Sequence, residues 1–560
     1  MKRALFTAAT CCLTTAAVTA TAEARRTTQF SDRAAATCVV PDHFGRMFPS
    51  LQPGSWPVVD LNALAARTIA DEETNPTPEG EVDSEENPGI DAGYTYVGQL
   101  IDHDLDLDNR PNDLTTPVDP TTLKNGRSPA LDLDNIYGSG PVNSPQLYAA
   151  DNMHLKFGSA LSGSTDTGAV DLPRDPVSGQ AFLGDGRDDE NRLVAGVHSL
   201  MLRLHNQFVD RLSANHPTWS AERVFAAARE RTRLHYQWAV VTDFLPQIVG
   251  GRTMVSLLGS GFERDPSRAP RLRFYKPCQT GVPVEFSGAA YRFGHSMVRP
   301  IYRINSSVAD RLPVFSLTRD PTKDLGGFQP APSNFAIDWK FFFQLTGQQR
   351  VVGQPQSSYM IDGSLAFPLS LLPLPAIGTG PSTLSTRNLL RGQQLGLPSG
   401  QSVARALGAR PLTDDQVLVG PAVAEGAGEA GSTVPLTTVS AAFAGKAPLW
   451  SYVLAESVQT SFRLSGGRIV GDRLGPGRLG PVGGRIVAET ILGLLAADGS
   501  SIMHRPGFQP DPTFVRNGRF GWPEFVGAAT RLPDVRPPVR PPSYDPKKPR
   551  PRHETRPKRR

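Results

Sequence analysis

The sequence predicts a mainly α fold: one large domain of helices joined by long irregular loops, with little β structure. Three observations carry that expectation. Apolar residues recur at three- and four-residue steps over several long segments, the spacing that builds one face of a helix. Strand-like alternation of apolar and polar residues is scarce. The 53 glycines and 51 prolines fall mainly between the periodic stretches, where they punctuate connections rather than break helices. A chain of 560 residues accommodates one large domain with accessory ends, and no solenoid-type repeat is visible.

The ends differ from the middle. Residues 1–24 place Lys2 and Arg3 ahead of a modest apolar run closing on small residues, the pattern of a cleaved export signal, which implies a secreted, extracellular protein. No later run approaches the roughly 20 apolar residues that span a bilayer, so no transmembrane segment is expected. Cys11 and Cys12 lie in the signal, leaving Cys38 and Cys278. An oxidising compartment permits a disulfide between them, though spacing alone does not pair them. Residues 531–560 form a Pro/Arg-rich basic tail; from Pro533 onward it carries ten Lys/Arg against three Asp/Glu. Such a tail stays extended and suits an anionic surface, and it equally suits a solvated end without a partner. Nothing resembles a nucleic-acid-binding fold.

Residues 25–90, rich in Pro, Asp and Glu with isolated apolar clusters such as DHFGRMFPSL, read as an N-terminal arm. Residues 91–530 read as the main domain. Its clearest helix is DDENRLVAGVHSLMLRLHNQFVDRL, where Leu193, Val197, Leu200, Leu204, Phe208 and Leu212 share a face. The next runs from Ser220, an N-cap residue, to Gly250, a stop. IDWKFFFQLTG, KAPLWSYVLAES and GGRIVAETILGLLAADG read as further buried helices.

GQLIDHDLDLDN sets four aspartates around one histidine. On a helix Gln99, Asp102 and His103 share a face, while Asp104 points about 100° further round. An EF-hand is excluded: counting from Asp102, positions six and twelve are Leu107 and Asp113, and from Asp104 they are Asn109 and Thr115, where glycine and glutamate are required. Taken alone, the run equally fits a solvated acidic helix end. A second segment, SPALDLDNIYG, alternates Ser128, Ala130, Asp132 and Asp134. In an extended turn these offer a hydroxyl, a carbonyl and two carboxylates to one Ca²⁺, with Asp104 joining from the helix.

GQLIDHDLD, LDLDNIYG, GDGRDDENRLVAGVHSLMLRLHN and YRFGHSMVRP stand in the order found in animal-type haem peroxidases, the group containing myeloperoxidase and lactoperoxidase. The chain resembles that family from about residue 43 to 527, with an HFGRMFP-like start similar to that of secreted bacterial members. The resemblance implies reduction of hydrogen peroxide and oxidation of small donors (iodide, bromide, thiocyanate or phenols) through a ferryl haem, and a place in the response to oxidative stress. It makes His103 the distal base, Gln99 its neighbour orienting peroxide or halide, and Arg187 the distal cation that steadies developing negative charge. Asp102 and Glu190 occupy the positions where the family esterifies its haem. Asn191 replaces the methionine that forms a third linkage in myeloperoxidase, which argues against chloride as a donor. His295, beside Gly294, matches the iron ligand; Asn388 matches the asparagine that accepts its other N–H, and Arg391 an arginine near a haem propionate. Gln393, Gln394 and Leu395 depart from the family's usual arginine, aspartate and histidine.

Two rivals remain. A fatty-acid dioxygenase uses a tyrosyl radical three residues before the proximal ligand; here that position is Arg292, counted among the cofactor-binding residues, and Tyr291 would point about 100° away on a helix. A non-catalytic, calcium-stabilised secreted binding protein with a vestigial haem site is the other. His198 and His205, seven residues apart on the long helix, read as packed, hydrogen-bonded structural histidines. His43, His154, His216, His235, His504 and His553 lack metal-ligand spacing, and GPGRLGPVGGRIVAE is not a GxGxxG nucleotide loop.

Overall fold

The computed structural model describes residues 37–73, 83–108, 113–114, 116–373, 380–424 and 432–530. The expected export signal and basic tail lie outside these residues. Among them the fold is mainly α. Seven helices frame it: α1 (Val58–Thr68), α2 (Gly93–Leu105), α3 (Arg192–Asn215), α4 (Ala221–Ala239), α5 (Leu384–Gln394), α6 (Leu449–Ser461) and α7 (Pro481–Ala497). Shorter helical turns and long loops join them. β structure is confined to short two-stranded ladders, such as Phe44–Gly45 with Val282–Pro283 and Glu86–Asp91 with Ser357–Tyr359.

The long periodic segment folds as α3, and its apolar stripe from Leu193 to Leu212 is buried. Asn191 caps it: its side-chain oxygen accepts from the N–H groups of Leu193 and Val194, satisfying donors that have no partner within the helix. Ser220 caps α4 through the Arg223 N–H. From α4 the chain runs on through a π-helical turn (Val240–Phe244) and a last helical turn to Gly250, whose φ of 79° ends the run. α7 is apolar on nearly every side and buried along its length, as suits a helix in the middle of a core.

One expected helix is absent. IDWKFFFQLTG forms only a 3₁₀ turn at Trp339–Phe341, because its carbonyls bond neighbouring segments: that of Phe342 accepts from the Gly93 N–H and that of Phe341 from the Gln356 N–H. A Cβ at Gly93 would lie 2.3 Å from the Phe343 ring, so only glycine lets α2 start this close to the loop.

The described part of the N-terminal arm is built into the same core. Phe44, Met47, Phe48, Trp56, Leu61 and Leu64 join one contiguous apolar cluster with α2, α3 and α7, each large side chain contributing about 1.5–3 kcal/mol on full burial. Cys38 and Cys278 form a disulfide between residues 240 apart in sequence. No helix among the described residues is long and apolar enough to cross a membrane.

Candidate functional site

A cavity of about 480 Å³ opens between α2, the turn before α3, α5 and a short 3₁₀ helix at Ala290–His295. Gln99, Asp102, His103, Arg187, Glu190, Arg292, His295 and Arg391 all line it. The structure thus brings together residues nearly 300 positions apart. Asn388 stands behind His295, and Asp104 leaves the cavity for a separate acidic cluster.

His103 is buried, and its Nδ1 lies 2.7 Å from Asp188. Gln99 donates to Glu190 at 3.0 Å and accepts from Asn191 at 3.1 Å, so the residue that caps α3 also holds Gln99 in place. Arg187 is gripped by Asp185, which accepts from its Nε and Nη2, while Nη2 also donates to the Asp106 carbonyl at 2.6 Å. Burial alone would weaken the Arg187 charge, but Asp185 outweighs it and holds the guanidinium protonated. Burial also pushes the Glu190 carboxyl up, against the pull of His103 and Arg187.

On the 3₁₀ helix, burial and then the Arg292 cation push the His295 ring down to about 3, leaving a neutral imidazole. Arg292 Nη1 donates to Asn388 Oδ1 at 2.7 Å, and Asn388 Nδ2 lies 2.9 Å from His295 Nδ1. This corrects the expected direction of that bond. Arg292 can only donate, so it takes the amide oxygen and turns the amide N–H₂ toward the histidine. The neutral ring then carries its proton on Nε2, the nitrogen that would have to give it up to hold a metal. Arg391 pairs with Asp108 at 3.3 Å and donates to Gln394 at 2.7 Å. Gln393, another departure from the family pattern, accepts from the Trp56 N–H.

Tyr291 is not turned away from the cavity. It lines the wall, and its hydroxyl donates to the Gly98 carbonyl at 3.2 Å. A 3₁₀ turn places successive residues about 120° apart, and this cavity is wide enough to meet both Tyr291 and Arg292.

A flat macrocycle fits these walls. Gly294 lines the cavity, and a Cβ there would meet no atom within 4 Å, so the backbone beside His295 offers an open face. The cationic side chains of Arg292, Arg387 and Arg391 on the same wall suit acidic substituents.

The acidic cluster is equally pointed. Carboxylate oxygens of Asp104, Asp132 and Asp134 lie within 4.8 Å of one another. Asp104 is fully buried and its oxygens make no hydrogen bond of good geometry, only looser contacts with the Tyr236 hydroxyl and the Leu133 N–H. Burial, then Asp132 and Asp134, push its carboxyl well up, and burial pushes Asp134 up to about 6. Three acids held this close, one buried and two half-buried, suit a hard cation. The loop is not the extended turn expected: Leu133 adopts φ 63°, and Asp134 opens a short helix. That left-handed residue, a strained conformation for leucine, is what brings Asp132 and Asp134 together. Ser128 donates from Oγ to Asp132 and from N–H to Asp134; Ala130 donates its N–H to the Ser128 carbonyl.

Residues 95–329 match the sequence model for animal haem peroxidases. Over those residues the chain carries an animal haem peroxidase domain. A 206-residue stretch is 29% identical to thyroid peroxidase of Rattus norvegicus, 34% of this chain and 21% of that protein. Peroxinectin A of Dictyostelium discoideum is 27% identical over 237 residues, 42% of this chain and 39% of that protein. The chain therefore spans about a fifth of the length of the thyroid peroxidase it matches. Among solved structures, peroxidase A from Dictyostelium discoideum superposes with a TM-score of 0.53 at 16% identity, covering 89% of this chain and 94% of that one. A fatty acid alpha-dioxygenase of Arabidopsis thaliana gives 0.51 at 14%, covering 90% and 77%. At these identities what is shared is the fold. The family implies haem.

Asp185, Asp188 and Asn135 enter the site unannounced by the sequence, and Tyr291 enters it against expectation. Asp185 carried a usable signal: in Asp185-Gly186-Arg187 the carboxylate accepts the N–H two residues on, a turn that short acidic side chains favour. Asp188 carried none, since its partner His103 lies 85 residues away.

Proposed function

We propose that the chain is a secreted peroxidase that reduces hydrogen peroxide and oxidises small donors such as iodide, bromide, thiocyanate or phenols. One observation carries the proposal: a single cavity gathers His103, Gln99 and Arg187 from one pair of elements and His295, backed by Asn388, from another. Haem held there by His295 would supply the redox chemistry that links peroxide to the donor. The chain's own residues do the rest. His103 takes a proton from the incoming peroxide and returns it to the departing oxygen. Arg187, its charge fixed by Asp185, steadies the negative charge that develops as the O–O bond breaks. Gln99, held between Glu190 and Asn191, orients the peroxide or a halide.

Asp102 and Glu190 line the same cavity and are the side chains offered for ester bonds to the haem. Asn191 cannot form a third linkage and is committed to Gln99 and the start of α3, so chloride is not among the donors. Asp104, Ser128, Ala130, Asp132 and Asp134 are the calcium loop. The disulfide and the leader-like N-terminus support an extracellular location, with the basic tail available for anionic surfaces.

A second reading, fatty-acid oxygenation, is favoured by Tyr291 in the cavity wall. Against it, the position three residues before His295 is Arg292, committed to Asn388 and the Ser287 carbonyl. Purified, haem-replete protein separates the readings. A Soret band with peroxide-dependent oxidation of iodide or guaiacol supports the peroxidase; oxygen uptake with palmitate and no peroxide-driven donor oxidation supports the oxygenase. Haem-replete protein inert in both assays is a non-catalytic binding protein.

A further inference from the structure

Asp188 is fully buried and shares one carboxylate among three donors. Its Oδ1 faces His103 Nδ1 at 2.7 Å. Its Oδ2 faces His198 Nδ1 at 2.7 Å and accepts from Asn135 Nδ2 at 3.1 Å. Burial pushes the carboxyl up, but the hydrogen bonds from His103 and His198 oppose it, and Asp188 stays below the ordinary carboxylate range. An ionised carboxylate only accepts, so each ring must turn a protonated Nδ1 toward it. The other nearby acids are occupied: Asp185 holds Arg187, and Glu190 holds Gln99.

We propose that Asp188 is a positioning residue for the proton chemistry at His103: it fixes the ring's orientation and its Nδ1–H tautomer, which leaves Nε2 as an unprotonated base for the cavity. His198 and Asn135 are the struts that keep the carboxylate in place. Asn135 directly follows Asp134, so the acidic loop and the His103 ring are tied through one side chain. The role in catalysis rests on the peroxidase reading; the tautomer does not.

The donor pattern predicts what an isosteric change does. In Asp188→Asn, His198 and Asn135 both donate to the Oδ2 position, so the amide oxygen stays there. The amide N–H₂ then faces His103, whose Nδ1 must accept, and the proton moves to Nε2. The general base is lost with the volume and shape of the site retained.

The test uses the full-length, haem-loaded protein carrying ¹⁵N-histidine, held diamagnetic as its ferrous carbon monoxide form and read at a pH where the spectrum shows the His103 ring to carry a single proton. A preparation that takes up no haem is already diamagnetic, and the same spectrum is read. The His103 signals are assigned by their loss in His103→Gln. The expected result is a wild-type ring protonated on Nδ1 and an Asp188→Asn ring protonated on Nε2. In haem-replete protein the reaction with peroxide slows about 10²- to 10⁴-fold, the range of a general acid–base contribution, while haem content is unchanged. A wild-type His103 protonated on Nε2 overturns the proposal, and so does an Asp188→Asn protein that keeps the wild-type tautomer or rate. If the variant does not fold, the wild-type spectrum decides alone. Protein that ignores peroxide while showing the expected tautomers sinks the peroxidase reading and leaves the positioning of His103 by Asp188 standing.

Discussion

The amide nitrogen of Asn388 meets Nδ1 of His295 at 2.9 Å, across 93 residues of sequence. Asn388 also accepts from Arg292, so one side chain orients the histidine and neutralises a buried donor. Replacing Asn388 with leucine frees the ring and strands Arg292. Haem affinity is expected to fall about 10- to 100-fold, the usual effect of losing the partner behind a metal ligand. Haemin titration followed at the Soret band checks this, and an unchanged affinity would show that the contact holds nothing in place.

The segments legible in the sequence were those whose structure is decided locally. The apolar stripe of α3, the Ser220 cap and the Gly250 stop depend on neighbours within a few residues, and they fold as their spacing predicts. IDWKFFFQLTG misleads because a short apolar run suits a buried loop as well as a helix, and the choice is made by α2 taking its carbonyl. At the site, Gln99, Asp102 and His103 share a helix face that periodicity reveals. Asp188 looks like an ordinary acid at a helix start, where the helix dipole favours negative charge. Only the packing of α2 against α3 brings it to His103. Asn388 and Arg391 lie beyond the matched residues 95–329, and the direction of the Asn388 bond depends on Arg292, which the sequence offers for the cofactor but not as a partner of Asn388.

Removal of calcium should be felt at the haem. The purified protein is expected to carry one Ca²⁺ per chain, lost in Asp104→Asn, as metal analysis would show. With free calcium at 100 times its Kd, binding stabilises the fold by about 2.7 kcal/mol, so chelation lowers the melting temperature. Because Asn135 links the loop to Asp188, chelation also shifts the haem spectrum. A spectrum unmoved after verified metal removal would refute that coupling.

Ester bonds through Asp102 and Glu190 predict haem that stays on the polypeptide after acid extraction once the protein has turned over with peroxide. Glu190→Gln and Asp102→Asn should each retain one bond, and the double variant none. Complete extraction from peroxide-treated wild-type protein would rule the esters out.

His235 makes a stability prediction with a definite sign. Its Nε2 accepts from the Asp511 N–H, and burial pushes the ring down from 6.5 to about 4. Between those values the unfolded chain binds the extra proton, so stability is fully present above about pH 6.5 and is lost as the pH falls toward 4. At about 1.36 kcal/mol per unit the full effect is on the order of 3 kcal/mol. His235→Gln, which can still accept from Asp511, should flatten the fall in melting temperature between pH 7.5 and 5; an equal fall in both proteins would place the acid sensitivity elsewhere.

The central claim is that one cavity holds haem on His295 and works on peroxide through His103. It is tested most directly by the Soret absorbance of His295→Ala and His103→Ala proteins purified with excess haemin, each checked for folding by circular dichroism. The account predicts that His295→Ala is folded but lacks bound haem, while His103→Ala carries a full complement. Stoichiometric haem with an unaltered spectrum in folded His295→Ala would contradict it.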